Sequence, residues 1–233
     1  MEIKMDKLIF WDFQGTLAHN EWMLSKALFK VLCKYEPYTE IGIEDFKKIS
    51  LVGFPWQQPE KEYVNLTSSD AWWNHAEDIL IKGYIKLNIS EEKAAIYSKE
   101  IRQVLASGES FQLYEDTIEV LQYFIKKGYS NVILSNHIPE LPKIVEKLGL
   151  SPYIIDCISS ANVGYEKPNP KIYHYALKKH CNYRDIWMVG DSILADVTGP
   201  EHVGIKAVLV RSNTEENVRY YLKDLLGVKE IIV

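Results

Sequence analysis

The stretch Leu8-Ile9-Phe10-Trp11 is apolar at four consecutive positions and runs into the carboxylate of Asp12. A strand that meets water on one side alternates in polarity. An unbroken run this short, closed by the turn at Gly15-Thr16, therefore reads as a buried strand over residues 7–13. Such a strand needs helices to cover it, and the chain after Gly108 supplies them in alternation with further strands. Asp116 stands at the start of a helix reaching Lys127, with Glu119 placed to close a capping box and Gly128 to end it. "SNVILS" reads as a strand, residues 139–148 as a helix stopped by Gly149, and "YIIDCISS" as a strand. A helix opens at Asn169-Pro170, where proline suits the first helical position. "DIWMVG", a helix ending before Gly204, and "KAVLV" complete the alternation. This pattern predicts an α/β fold, a Rossmann-like parallel sheet with helices on both faces.

From Glu21 to about residue 106 the period changes to that of helices. Apolar positions fall at Trp22, Leu24, Leu28 and Phe29, then Phe46, Ile49 and Leu51, then from Trp72 to Leu87, then from Ala94 to Leu105 behind the cap residue Ser90. Gly53, Pro55 and Pro59 interrupt the helices within residues 51–63. The expected organisation is an α/β core, residues 1–18 with 110–233, carrying an inserted helical cap domain, residues 19–109. The two crossings fall near residues 18–21 and 107–113, where His19-Asn20 and Ser107-Gly108 are suited to absorb rotation.

Composition narrows the chemistry. Of 233 residues, 47% are hydrophobic and 25% charged, enough for a sizeable core, and a formal net charge of −5 provides no field to gather nucleic acid or an anionic membrane surface. The N-terminal apolar run is too short for a secretory segment and is broken by Asp12, and no later run is long enough to span a bilayer. A cytoplasmic protein is expected, with no nucleic-acid or membrane partner. Cys33, Cys157 and Cys181 are far apart and match no zinc or redox spacing, so they read as reduced, packed thiols.

In open α/β sheets the ligand crevice lies beyond the carboxyl ends of the strands. Four such ends carry polar groups: Asp12 and Gln14; Ser135 and Asn136; Lys167; and Asp191. Singly, each has an ordinary reading as a turn residue, a helix cap or a solvated charge. Together and in this order, "DFQGTL", "VILSN", "GYEKPNPKIYHYAL" and "GDSILADVTGPEHVGI" resemble the four motifs of the haloacid dehalogenase superfamily, most closely its magnesium-dependent phosphatase branch. The helical block between the first two motifs resembles that superfamily's type 1 cap. The resemblance covers essentially the whole chain.

It implies hydrolysis of a small phosphorylated metabolite through an aspartyl-phosphate. Asp12 would be the nucleophile, with Ser135 and Lys167 also catalytic. Phosphate would be held by Gly15, Thr16, Ser135, Asn136 and Lys167, which answer the negative charge with donors and a cation. Mg²⁺ would sit on Asp12, the main-chain carbonyl of Gln14 and Asp191, with Asp196 bracing that site. Trp56 and Trp72, with Trp73 beside it, are the candidate substrate-selecting residues of the cap, and they motivate a nucleoside monophosphate or sugar phosphate as substrate. The sequence does not specify an oligomeric state.

Gln14 departs from the family pattern, which has a second Asp there as general acid and base. An amide exchanges no proton near neutral pH. Three readings stay open. The first is a slow phosphatase, or one that borrows a proton donor such as His19 or His75. The second, a dehalogenase, is disfavoured because Asp191 is present and no arginine follows Leu17 at the start of the insert. The third is a protein that binds a phosphorylated ligand without turnover.

Overall fold

The computed structural model describes residues 7–212 and 218–233; residues 1–6, part of the expected core, lie outside them. In chain order the strands are β1 (Lys7–Trp11), β2 (Ala18–His19), β3 (Gln112–Leu113), β4 (Tyr129–Ser135), β5 (Asp156–Ser159), β6 (Asp185–Gly190), β7 (Lys206–Val210) and β8 (Tyr221–Leu222). The helices are α1 (Met23–Tyr35), α2 (Ile43–Lys48), α3 (Ser69–Ile85), α4 (Glu91–Ala106), α5 (Thr117–Lys126), α6 (Leu141–Lys147), α7 (Ser160–Val163), α8 (Pro170–Lys179), α9 (Gly199–Glu201) and α10 (Val228–Ile231).

One six-stranded sheet runs in the order β5-β4-β1-β6-β7-β8, with every pairing parallel. β1 lies inside it, Trp11 standing opposite Ile133 on one neighbour and Val189 on the other. Leu8 and Phe10 pack with Ile172, Tyr173 and Ala176 of α8, whereas Ile9 and Trp11 pack with Val120, Leu121 and Phe124 of α5. Successive side chains of a strand point to opposite faces, and here both faces are dry, which explains why the run is unbroken. Each of the four is fully buried, a contribution of about 2 kcal/mol apiece. The one polar residue in the middle of β4, Asn131, is satisfied: it accepts from Trp11 Nε1 at 2.9 Å and donates to the carbonyls of Leu121 and Tyr153.

The α/β architecture is as expected, with several local differences. β1 stops at Trp11 because the carbonyl of Phe13 accepts from Leu17 and Ala18 N–H, both at 2.9 Å, curling the chain into a tight turn. The capping box at Asp116 and Glu119 does not form. Asp116 instead binds the Arg211 guanidinium and accepts from Leu225 N, and Glu119 pairs with Lys229. A bond between two full charges, carboxylate and guanidinium, outweighs one from the carboxylate to the helix's own N–H. The helix expected to end before Gly204 begins as a π-helical turn, Ile193–Thr198, because the Asp196 carboxylate folds back to accept from Ser192 N at 3.0 Å. The chain's final elements, β8 and α10, carry no clear pattern in the sequence. All three cysteines are free, but Cys181 is exposed rather than packed, since it falls in the turn that follows α8.

Between β2 and β3 lie α1 to α4, in which α4 packs against both α1 and α3. Tyr84 of α3 donates to the Leu28 carbonyl of α1 at 2.8 Å. The two crossings are bonded to each other, Ala18 opposite Leu113 and His19 opposite Gln112 in an antiparallel pair. Among the described residues no helix is long and apolar enough to cross a membrane.

Candidate active site

The carboxyl ends of β1, β4 and β6, together with the loop before α8, converge on one cavity of about 540 Å³. Asp12, Ser135, Lys167 and Asp191 all line it. Asp12 Oδ1 accepts two hydrogen bonds, from Ser135 Oγ at 2.9 Å and from Lys167 Nζ at 2.8 Å. Lys167 also donates to Asp196 Oδ1 at 2.5 Å. Its ammonium is buried, which alone would depress its pKa; Asp12 and Asp196 reverse that effect and raise it.

Three carboxylates here face one ammonium. Oxygens of Asp12, Asp191 and Asp196 lie within 4.8 Å of one another. Burial, then repulsion from Asp12 and Asp196, pushes the Asp191 carboxyl up to about 7. Burial also raises Asp196, to about 6, against the pull of Lys167. A divalent cation fits this donor set, since it would relieve the excess of negative charge in a dry site. Both Asp196 oxygens are already occupied, by Lys167 and by Ser192 N, so Asp196 acts as a brace. Asp191 is freer, its one side-chain bond among the described residues being a long one from Thr16 Oγ1 at 3.5 Å.

Two glycines make room for this cluster. Gly15 has φ +95°, and a Cβ there would stand 2.3 Å from Asp191 Oδ2. A Cβ at Gly190 would stand 2.2 Å from the Asp196 carboxyl carbon.

The remaining sequence candidates fall differently. Gln14 lines the cavity, but its amide leans away, 3.5 Å from the Asn20 carbonyl. Thr16 is buried behind Asp191. The Asn136 side chain lines the cavity and is tied to the backbone of Lys167: it donates one N–H to the Lys167 carbonyl and accepts from Lys167 N, both at 2.7 Å. The reciprocal amide pair holds the backbone that carries the ammonium. Trp56 lines the cavity, whereas Trp72 does not; it is fully buried beside Phe54, Trp56 and Trp73 as part of the helical core. Helical spacing directs it inward, correcting its assignment to substrate selection. His75 is tied to the Gly53 carbonyl at 2.8 Å outside the cavity. His19 packs at a tilt against Tyr114 and lines a second cavity, about 420 Å³, shared with Gln14, Gly15 and Asp191.

Several lining residues gave no signal in the sequence. His137 follows Ser135-Asn136 and lines the cavity, enclosed by the rings of Phe13 and Phe111. Burial pulls its imidazole down to about 4, so it is neutral. Trp22, Lys47, Ile49 and Leu51 reach the same cavity from the helical segment. For Lys47, Ile49 and Leu51, only the shared cavity, not their place in the sequence, identifies them.

Residues 7–204 match the family described as haloacid dehalogenase-like hydrolase. The chain belongs to the haloacid dehalogenase-like hydrolases. Among curated relatives of this family member, the mouse haloacid dehalogenase-like hydrolase domain-containing protein 3 is 27% identical over 145 residues, 61% of this chain and 57% of that protein. The glyceraldehyde 3-phosphate phosphatase of Methanothermobacter thermautotrophicus is 30% identical over 113 residues, 47% of this chain and 50% of that one. The aligned stretch thus spans little more than half the length of these relatives. The fold is shared with the putative HAD-hydrolase YfnB of Bacillus subtilis, solved bound to magnesium: TM-score 0.67 at 16% identity, over 97% of this chain and 98% of that one.

Proposed function

We propose that this hydrolase is a Mg²⁺-dependent phosphatase of small phosphomonoesters, with Asp12 as nucleophile. The observation that carries the reading is the pair of bonds from Ser135 and Lys167 to Asp12 Oδ1 on the floor of an open cavity. They orient the carboxylate and leave Oδ2 to attack. Asp12 Oδ2 bonds to phosphorus as the ester P–O bond breaks, and the leaving oxygen departs with its electron pair. Water then attacks the aspartyl-phosphate, its P–O bond to Asp12 breaks, and the carboxylate is restored. Lys167 and Ser135 hold the phosphoryl oxygens; Gly15 N–H already donates to the Ala18 carbonyl at 2.8 Å and Thr16 N–H to the Phe13 carbonyl at 3.4 Å, so in this reading the backbone donors of the loop are those of Phe13 and Gln14.

A bound Mg²⁺ would supply positive charge between the phosphoryl oxygens and the carboxylates, held by Asp12, Asp191 and the Gln14 carbonyl. Gln14 moves no proton, so the leaving oxygen takes its proton from solvent and esters with good leaving groups react fastest. Residues 1–18 and 110–233 form the catalytic core in this reading, and residues 19–109 the cap that closes over it. The curated relatives that bear phosphatase names support the same reading.

The test is phosphate release from a panel of phosphorylated metabolites and 4-nitrophenyl phosphate, with Mg²⁺ and with EDTA. Release should require the metal and vanish in Asp12→Asn. Binding of vanadate without any steady release would favour instead the ligand-binding protein that Gln14 brings to mind. Release that persists in EDTA would contradict the assignment.

A further inference from the structure

The cavity has a second end. Beyond the Asp12 floor its walls are apolar, formed by Met23, Leu24, Ile49, Leu51, Trp56 and Ile138. Outside the Asp12, Lys167, Asp191 and Asp196 cluster, Lys47 is the only charged residue lining it among the described residues. Lys47 lies in the last turn of α2, 5.5 Å over the ring of Trp22. One of its three N–H groups goes to Glu44 at 2.7 Å, whose side chain is 67% exposed against 26% for Lys47, so the pair points its acid outward and keeps donors for the cavity.

Trp22 is a second, independent sign. It is half-exposed yet held at φ 60° and ψ 35°, a left-handed conformation unusual for a bulky residue, just before α1. Strain of this kind persists where the surroundings fix it, and ligand clamps are among those places. Ser25 of α1 donates to the Phe46 carbonyl of α2 at 3.1 Å, which fixes the two helices and so the two side chains relative to each other. The result is an aromatic ring and a cation side by side in the lining of the cavity that also holds the Asp12 cluster.

Building on the phosphatase reading above, we propose that Lys47 and Trp22 select the substrate: a phosphomonoester with a planar or apolar body that carries a second anionic group at the end away from the phosphate. The body lies along Trp56, Ile49 and Leu51, and the distal anion meets the Lys47 ammonium.

The experiment is calorimetric binding, with Mg²⁺ present, of 4-(phosphonomethyl)benzoate and the matching benzamide, neither of which is hydrolysed. The wild-type protein should bind the carboxylate about tenfold more tightly than the amide, the size of one charge-assisted hydrogen bond. In Lys47→Met that ratio should fall to near one, while Trp22→Ala should weaken both compounds by a similar factor. Equal binding of the two by the wild type, an unchanged ratio in Lys47→Met, or no binding of either overturns the proposal. Binding with the expected ratio but no phosphate release from any ester would overturn the phosphatase reading alone.

Discussion

Gln14 keeps the backbone of the turn after β1 and loses its acid, so it separates two contributions that usually travel together. Its backbone pairs with Ala18 in that turn while its amide turns toward Asn20. Gln14→Asp restores a proton donor at the cavity wall, and turnover should rise about tenfold to hundredfold. The gain should be larger for phenyl phosphate, a poor leaving group, than for 4-nitrophenyl phosphate; steady-state kcat on the two esters measures it. No gain on either would mean that the site has been rebuilt around the amide. Asn136 acts at one remove, through its two bonds to the Lys167 backbone. Asn136→Ala should lower kcat about tenfold with a smaller change in KM, because it loosens the ammonium rather than deleting a substrate contact. A rise in KM alone would return Asn136 to the role of phosphate ligand.

At the scale of elements, β5 is an edge strand and is fastened to the end of α8 by charge. Asp156 at its start meets Lys179 at 2.7 Å and His180 Nε2 at 2.9 Å. Burial alone would raise this carboxyl, but the bonds from His180 and Lys179 overcome it and hold it at about 2. A lowered carboxylate pKa contributes stability above the unfolded value near 4, and that contribution is lost as pH falls through about 2. In Asp156→Asn the wild-type margin should therefore be visible at pH 7 and disappear by pH 2, read as the difference in denaturation midpoint between the two proteins. A difference that does not change over this range would show that the pair contributes nothing electrostatic. π-Helical turn Ile193–Thr198 is a different case: its geometry follows the demands of Asp196, not local propensity.

Across the whole molecule, one core carboxylate ties the helical segment to the sheet. Glu140, just before α6, accepts from Ser69 Oγ at 2.6 Å, Trp73 Nε1 at 2.8 Å and Arg102 Nε at 2.9 Å, joining α3 and α4 to the loop that leaves β4. It is 5% exposed. Glu140→Ala would strand a buried indole N–H and remove one bond from Arg102, which keeps Asp70 and Ser69, a loss of about 2 kcal/mol in unfolding free energy at unchanged m-value. A loss below about 0.5 kcal/mol, the level of an ordinary surface site, would show that the tie does not hold the two parts together. Little of this tie is visible in the chain itself: Glu140 lies 67 residues from Trp73 and 38 from Arg102. By contrast, the parallel sheet, the helical block and the order of polar strand ends were legible, because apolar periodicity and strand-end placement are local properties. The sequence by itself determined that Asp12, Ser135, Lys167 and Asp191 would be delivered to one edge of a buried sheet. Only the tertiary structure decided that Trp72 is core while Trp22 and Lys47 face the cavity, that Asn136 serves Lys167, and that Asp116 answers Arg211. Those outcomes depend on which of several distant partners offers the better packing or the stronger charge, and that competition is resolved only when the elements meet.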